Sequence, residues 1–145
     1  YVWDVVNGAA SEKELWDRLG WDFFAETFKL AKSVDPSLKL AYNDYDWTEP
    51  STAGPRRLED VLRIVKEAQA KGAPIDVVGD QAHLSIPVTP IPTIQKIWQR
   101  VRKETGATIE ITEFDAGIAD DKAYAKHLDD WLTAAFAAPE VSVKP

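Results

Sequence analysis

Four clusters of polar and ionisable residues each close an apolar, strand-like run. Asn7-Gly8 follows Tyr1–Val6. Asn43-Asp44-Tyr45-Asp46-Trp47 follows Leu38–Tyr42, Asp80-Gln81-Ala82-His83 follows Pro74–Gly79, and Thr112-Glu113-Phe114-Asp115 follows Ala107–Ile111. Glu113 is the most demanding member. A carboxylate two residues after Ile109–Ile111 stands at a strand end where it is partly buried, and such a group needs a partner or a task. Histidine and glutamine beside a carboxylate orient it without neutralising it, so the residue types suit a carboxylate-centred site. Each member also has a plainer reading. Asn7 can be a turn residue before Gly8, Asp44 and Asp46 can cap loop backbone, His83 can be a satisfied structural histidine, and Asp115 can cap the following loop. Trp47 either offers its flat apolar face to a ligand or packs its own loop.

The elements that would position these clusters alternate. Tyr1–Asn7, Leu38–Tyr45, Pro74–Gly79 and Ala107–Thr112 read as strands, and Val141–Val143 begins a fifth. Between them, Ser11–Val34 has helical spacing, with Leu15, Leu19, Phe23, Phe24, Thr27, Phe28 and Ala31 on one face. Ser11 and Glu14 form a capping-box pattern at its start, and Gly20 is a candidate interruption. Arg57–Lys71 puts Leu58, Val61, Leu62, Val65 and Ala68 on one side and ends at Gly72. Thr93–Thr105 turns Ile94, Ile97, Trp98 and Val101 inward and closes at Gly106. Asp120–Ala138 turns Tyr124, Leu128, Trp131, Leu132 and Ala135 inward. Trp16, Trp21, Trp98 and Trp131 read as core, His127 as solvent-facing, and Pro87, Pro90 and Pro92 as a stiff rim.

Strand starts recur about every 32–36 residues, the signature of βα units and a parallel α/β sheet. All four clusters then share the carboxyl ends of parallel strands, the face where α/β sites are built. Doubly wound sheets and (β/α)8 barrels both fit. Rossmann and P-loop readings fail, since no Gly-rich loop follows a strand. Eight such units would give about 270 residues, close to the ~250 of a barrel, and this chain holds about four and a half.

The 145 residues carry 24 acidic and 17 basic side chains, a net charge of -7, which speaks against nucleic acid as a partner. No apolar run approaches a membrane span, so no membrane partner is expected, and no basic start precedes an apolar stretch. The absence of Cys excludes disulfides and thiolate sites. Two distant histidines make no metal cluster, and no cofactor is implied. A start at Tyr1-Val2-Trp3, as if already inside a strand, reads as a processed, excised or fragmentary chain.

The strings Trp3-Asp4-Val5-Val6-Asn7, Tyr42-Asn43-Asp44-Tyr45, Ile75-Asp76-Val77-Val78-Gly79-Asp80-Gln81-Ala82-His83-Leu84 and Ile111-Thr112-Glu113-Phe114-Asp115 together resemble glycoside hydrolase family 10, the endo-β-1,4-xylanases. The resemblance runs through essentially the whole chain and matches the family's fourth to seventh strands in order. It implies that residues 1–145 are the C-terminal part of a (β/α)8 TIM barrel, a partner in xylan or xylo-oligosaccharide, and secretion. It implies a retaining mechanism with two glutamates about 5–5.5 Å apart. Glu113 falls at the nucleophile, Asn7 beside the sugar 2-hydroxyl, His83 and Gln81 next to the nucleophile, and Asp115 as the partner of His83. Tyr42, Asn43 and the loop carrying Trp47 fall near the substrate cleft.

The sequence departs from the family at the acid/base glutamate, which directly follows the asparagine of the first motif and is here Gly8. Glycine has no proton to give, and general acid catalysis is worth ~10²–10⁴-fold. Glu12 and Glu14 follow, past the strand end. The family's first three strands are also absent, which leaves open sheet edges and an apolar inner face. Three readings stand: an impaired xylanase with its nucleophile kept, a non-catalytic carbohydrate-binding module, and a half barrel that functions as a homo-oligomer or with a complementary half.

Overall fold

The computed structural model describes residues 1–48, 54–84 and 89–142. Its main sheet has four strands: β1 (Val2–Asn7), β2 (Lys39–Asp44), β3 (Val77–Asp80) and β5 (Thr108–Ile111), hydrogen-bonded in the order β1-β2-β3-β5. Every pairing is parallel. Two two-residue strands, β4 (His83–Leu84) and β6 (Asp115–Ala116), pair in parallel beyond the carboxyl ends of β3 and β5. The helices are α1 (Glu14–Leu19), α2 (Trp21–Val34), α3 (Gly54–Ala70), α4 (Ile91–Thr105) and α5 (Asp121–Ala137).

The chain is α/β, built from parallel βα units as the periodicity predicts, and its sheet is open rather than closed. Val141 adds a parallel bridge to Ile109, so the expected fifth strand begins at that residue. Val143 lies outside the described residues, as does Pro87. Pro90 caps the start of α4 and Pro92 sits in its first turn, where a missing N–H costs nothing.

The core lies between sheet and helices. Leu40, Tyr42, Val78 and Ile109 meet Phe24, Phe28, Val61, Leu62, Val65, Ile94, Trp98 and Trp131 there. The apolar face predicted for α3 is buried in full. Gly106 takes a left-handed φ of 73° and its N–H bonds Arg102 O, closing α4 as expected.

The first helical segment differs most from the sequence expectation. Gly20, at φ 86° and ψ 145°, divides it into α1 and α2, and the break puts the two apolar stripes out of phase. Phe24, Phe28 and Ala31 are buried, but Leu15, Leu19 and Phe23 are half exposed. No capping box forms. Ser11 Oγ turns to Asp44 Oδ1 at 2.7 Å and to Gly8 O at 3.0 Å, and Lys13 occupies the cap position without a side-chain bond. Trp21 is only partly covered and lies beneath the Arg63 guanidinium. On α5, Leu132 is exposed, and His127 is buried rather than solvent-facing, because it shares a helix face with Trp131 and stacks on Phe114.

Candidate active site

Strand register brings the four polar clusters together. Asn7 stands opposite Asn43, Asn43 opposite Gly79, and Asp80 opposite Ile111. Glu113 follows two residues past the end of β5. Its Oε1 accepts from Asn43 Nδ2 at 2.9 Å and from Asn7 Nδ2 at 3.4 Å, while its Oε2 meets His83 Nε2 at 3.2 Å. His83 Nδ1 lies 3.0 Å from Asp115 Oδ2, across the β4–β6 pair that sets His83 opposite Asp115. Gln81 Nε2 donates to Asn7 Oδ1 at 2.7 Å, and Thr112 Oγ1 donates to Asn43 Oδ1 at 2.8 Å. Each asparagine amide is therefore held at both ends, with its nitrogen aimed at Glu113. The carboxylate remains about a third exposed, at 38%.

Two further carboxylates shape this arrangement. Asp4 Oδ2 accepts from the Nδ2 atoms of both Asn43 and Asn7, at 3.1 Å each. A register shift between Asp4 and Val6 brings Asp4 and Asn7 to one side of the strand. Partial burial raises the Asp4 pKa against the two amide bonds, and the Glu113 charge pushes the same way. Asp44 accepts from Ala10 N and Ser11 Oγ, both at 2.7 Å, and from Tyr45 N at 2.9 Å, which fixes the loop after β1. For His83, burial opposes the charged form, but hydrogen bonds and charges from Asp115 and then Glu113 outweigh it, and its pKa is raised above 6.5.

Gly8 is buried with φ +74°, a conformation costly for any side chain. Its N–H donates to Asn43 O at 2.8 Å and its carbonyl accepts from Glu12 N at 2.6 Å. A Cβ on residue 8 would stand 3.3 Å from Ser11 Oγ and 3.8 Å from the Glu12 carboxyl carbon. No group of three or more His, Cys, Asp or Glu among the described residues is arranged to hold a metal ion.

The family model for Glycosyl hydrolase family 10 matches residues 1–142. The chain belongs to this family. It is 39% identical over 123 residues to endo-1,4-beta-xylanase 1 of Humicola insolens, covering 79% of this chain and 27% of that protein. It is 34% identical over 140 residues to endo-1,4-beta-xylanase A of Caldicellulosiruptor sp. (strain Rt8B.4), covering 88% and 20%. Native xylanase 10B from Thermotoga maritima superposes with a TM-score of 0.79 at 27% identity, over 97% of this chain and 46% of that one. Xylanase 10B from Thermotoga petrophila in complex with xylobiose gives a TM-score of 0.80 at 27% identity, over 97% and 45%. The chain thus spans less than half the length of each of these relatives, and its parallel βα units correspond to a segment of the family's TIM barrel.

Against this family frame, Asn7, Asn43, Gln81, His83, Glu113 and Asp115 are joined in one hydrogen-bonded cluster. Tyr42 and Trp47 are not part of an open surface. Tyr42 is fully buried, its hydroxyl donating to Asp44 and accepting from Ala10 N at 3.0 Å. It belongs to the layer between sheet and α2, because alternation along β2 turns it away from the face that Asn43 occupies. Trp47 is 1% exposed, with Nε1 donating to Asp44 O at 3.1 Å and Gly79 O at 3.2 Å. Its ring packs inside the loop after β2.

Four residues to which the sequence patterns assigned no role also build the site. Asp4 and Thr112 set the two amides. Gly79 leaves room for Asn43, since a Cβ there would stand 2.9 Å from Asn43 Cγ, and closer still to Oδ1. Asp80 Oδ1 accepts from Ala82 N at 3.2 Å in the turn before His83. Asp4, a charge inside the apolar run Val2–Val6, was the one visible signal.

Proposed function

We propose that this chain carries the nucleophile half of a retaining β-1,4-xylanase site, acting on xylan or xylo-oligosaccharide, with its general acid lost. The observation that carries the reading is the double hold on Glu113, by Asn43 and Asn7 on one oxygen and His83 on the other, with Gly8 directly after Asn7. In this reading residues 1–145 are the C-terminal part of a family 10 barrel. The matches to endo-1,4-beta-xylanases support the substrate class, as do solved relatives bound to xylobiose and xylotriose.

Glu113 Oε attacks the anomeric carbon, and the bond from that carbon to the leaving oxygen breaks. The leaving group departs as an anion, because residue 8 offers no proton. Water or another nucleophile then attacks the glycosyl–Glu113 ester and frees the carboxylate. Asn7 Nδ2 is placed for the sugar 2-hydroxyl, where hydrogen bonding strengthens in the transition state. His83, held by Asp115, keeps Glu113 oriented. Loss of the acid costs ~10²–10⁴-fold on ordinary glycosides and little on leaving groups that need no proton.

The test is dinitrophenol release from a dinitrophenyl β-xylobioside, with and without azide, beside Glu113→Ala. Release that needs Glu113 and quickens with azide is the expected result. Equal release from Glu113→Ala contradicts the assignment. Heat on titration with xylo-oligosaccharide but no release would make the chain a carbohydrate-binding module.

A second reading is favoured by the apolar side chains at the two ends of the open sheet, that functional activity requires a complementary half barrel or a second copy. Leu15, Leu19, Phe23 and Leu30 are exposed on α1 and α2, and Leu132 and Phe136 on α5. Dimers by sedimentation, with release rising in step with dimer concentration, are its expected signature.

A further inference from the structure

Asp80 is a buried carboxylate whose side-chain hydrogen bonds go to none of Asn7, Asn43, His83 or Glu113. It is 1% exposed, at the carboxyl end of β3, on the strand face that packs against α4. Its oxygens accept from Trp98 Nε1 on α4 at 3.2 Å, from Thr48 Oγ1 at 3.1 and 3.0 Å, and from Ala82 N at 3.2 Å. The last bond closes an Asx turn over Gln81, and it coincides with backbone strain. Ala82 has φ 54°, one of two non-glycine residues with positive φ among those described. A left-handed alanine is unfavourable and persists only where its surroundings over-determine it.

What the strained turn accomplishes lies one residue on. Ala82 O accepts from Asp115 N at 3.2 Å, which starts the β4–β6 pair, and His83 then reaches both Glu113 and Asp115. Gln81, inside the same turn, reaches Asn7. We propose that Asp80 is a positioning residue: through the Ala82 turn it sets His83 against Glu113. The functional meaning of this lock rests on the xylanase reading above, but the lock itself does not.

Among the described residues, the groups facing this turn are few. From β2, the carboxylate of Asp44, the register neighbour of Asp80, is occupied by Ala10, Ser11 and Tyr42. From α4 and the loop after β2 come the neutral Trp98 and Thr48. From the β5–β6 segment, Glu113 and Asp115 face His83. Burial pushes the Asp80 carboxyl up to about 6 against its donors, and the His83 charge pulls it back down. The charge is retained in the interior because its three donors converge on it.

The experiment is imidazole NMR of the full chain, which has two histidines. His83 reports the turn, and His127, on α5, is the internal control. Asp80→Leu leaves Ala82 N–H without an acceptor, so the His83 midpoint falls back towards 6.5 while His127 keeps its own. Ala82→Gly in the Asp80→Leu background restores most of the lost shift, because glycine takes the left-handed conformation without strain. Asp80→Ala also removes the acceptor for Ala82 N–H, without added apolar bulk, and gives a fall in the same direction. It serves as the test if Asp80→Leu does not fold. An unchanged His83 midpoint in a folded Asp80 variant overturns the proposal. So does an equal shift at His127, or no recovery with Ala82→Gly. None of these readouts involves a sugar, so failure of the glycosidase assay and failure of the lock are separate results.

Discussion

Replacing Gly79 with alanine tests whether the asparagine clamp on Glu113 depends on an unoccupied space in β3. The new Cβ would stand 2.9 Å from Asn43 Cγ and 3.2 Å from Asn43 Cα, with Oδ1 nearer still. The asparagine must therefore swing away from Glu113, Asp4 and Thr112. Overpacking of this kind costs about 1–3 kcal/mol, and a hydrogen bond to a charged group contributes about 1.5–3 kcal/mol, so Gly79→Ala should lose about 3 kcal/mol. Asn43→Ala loses the hydrogen bonds but removes the obstructing Cγ and Oδ1. In the double variant the alanine at 79 meets only the 3.2 Å approach to the Asn43 backbone, so its added cost is smaller than with the asparagine side chain present. A double-mutant cycle by urea unfolding should show about 1–2 kcal/mol of non-additivity, and both single variants should depress azide-accelerated release. Additivity within about 0.5 kcal/mol, or full activity in Gly79→Ala, would refute the reasoning.

Three further outcomes are expected. The Asp80 carboxyl goes from 3.8 to about 6 on burial, so the folded chain holds this proton more tightly and stability falls as pH rises through that window. The loss amounts to about 3 kcal/mol, and it is read as wild type minus Asp80→Asn by chemical unfolding at pH 4 to 7. The subtraction is needed because Glu59 and Glu104, lowered by their Arg100 hydrogen bonds, change stability in the opposite sense at lower pH. The His83 midpoint should fall in both Asp115→Asn and Glu113→Gln, and further in Asp115→Asn, because Asp115 contributes more to raising it; the reverse order in an NMR titration would contradict the geometry. Gly8→Glu should cost about 1–2 kcal/mol for a side chain at φ +74°. It should raise release from unactivated aryl xylobiosides by ~10²–10⁴-fold while leaving dinitrophenol release unchanged.

The fold was legible because its signals are redundant. Four strands, the α3 stripe and the Gly106 cap each follow from local pattern, and a parallel register then places strand ends together without further information. The site was legible where polar residues close an apolar run, as at Asn7, Asn43, the Asp80–His83 cluster and Glu113. It was not legible where a role depends on what lies across the sheet. Gly79 matters only because Asn43 crosses its position, and Thr112 because it holds the far end of the same amide. Tyr42 and Trp47 sit beside functional residues in sequence, but strand alternation buries one and backbone carbonyls capture the indole of the other. Ser11 shows the same limit. Its capping-box spacing is local, and Asp44, more than thirty residues away, takes its hydroxyl instead. His127 looked exposed because nothing in its helix indicates that Phe114 covers it.

The central claim is that Glu113 acts as the nucleophile, and the most direct measurement is trapping of the glycosyl–enzyme intermediate. The full chain is incubated with a dinitrophenyl 2-deoxy-2-fluoro-β-xylobioside, digested, and mapped by mass spectrometry. The account predicts one fluoroxylobiosyl adduct, on the peptide carrying Glu113, absent from Glu113→Gln and displaced by azide. An adduct on another carboxylate, or no adduct from a folded chain that releases dinitrophenol, would contradict it.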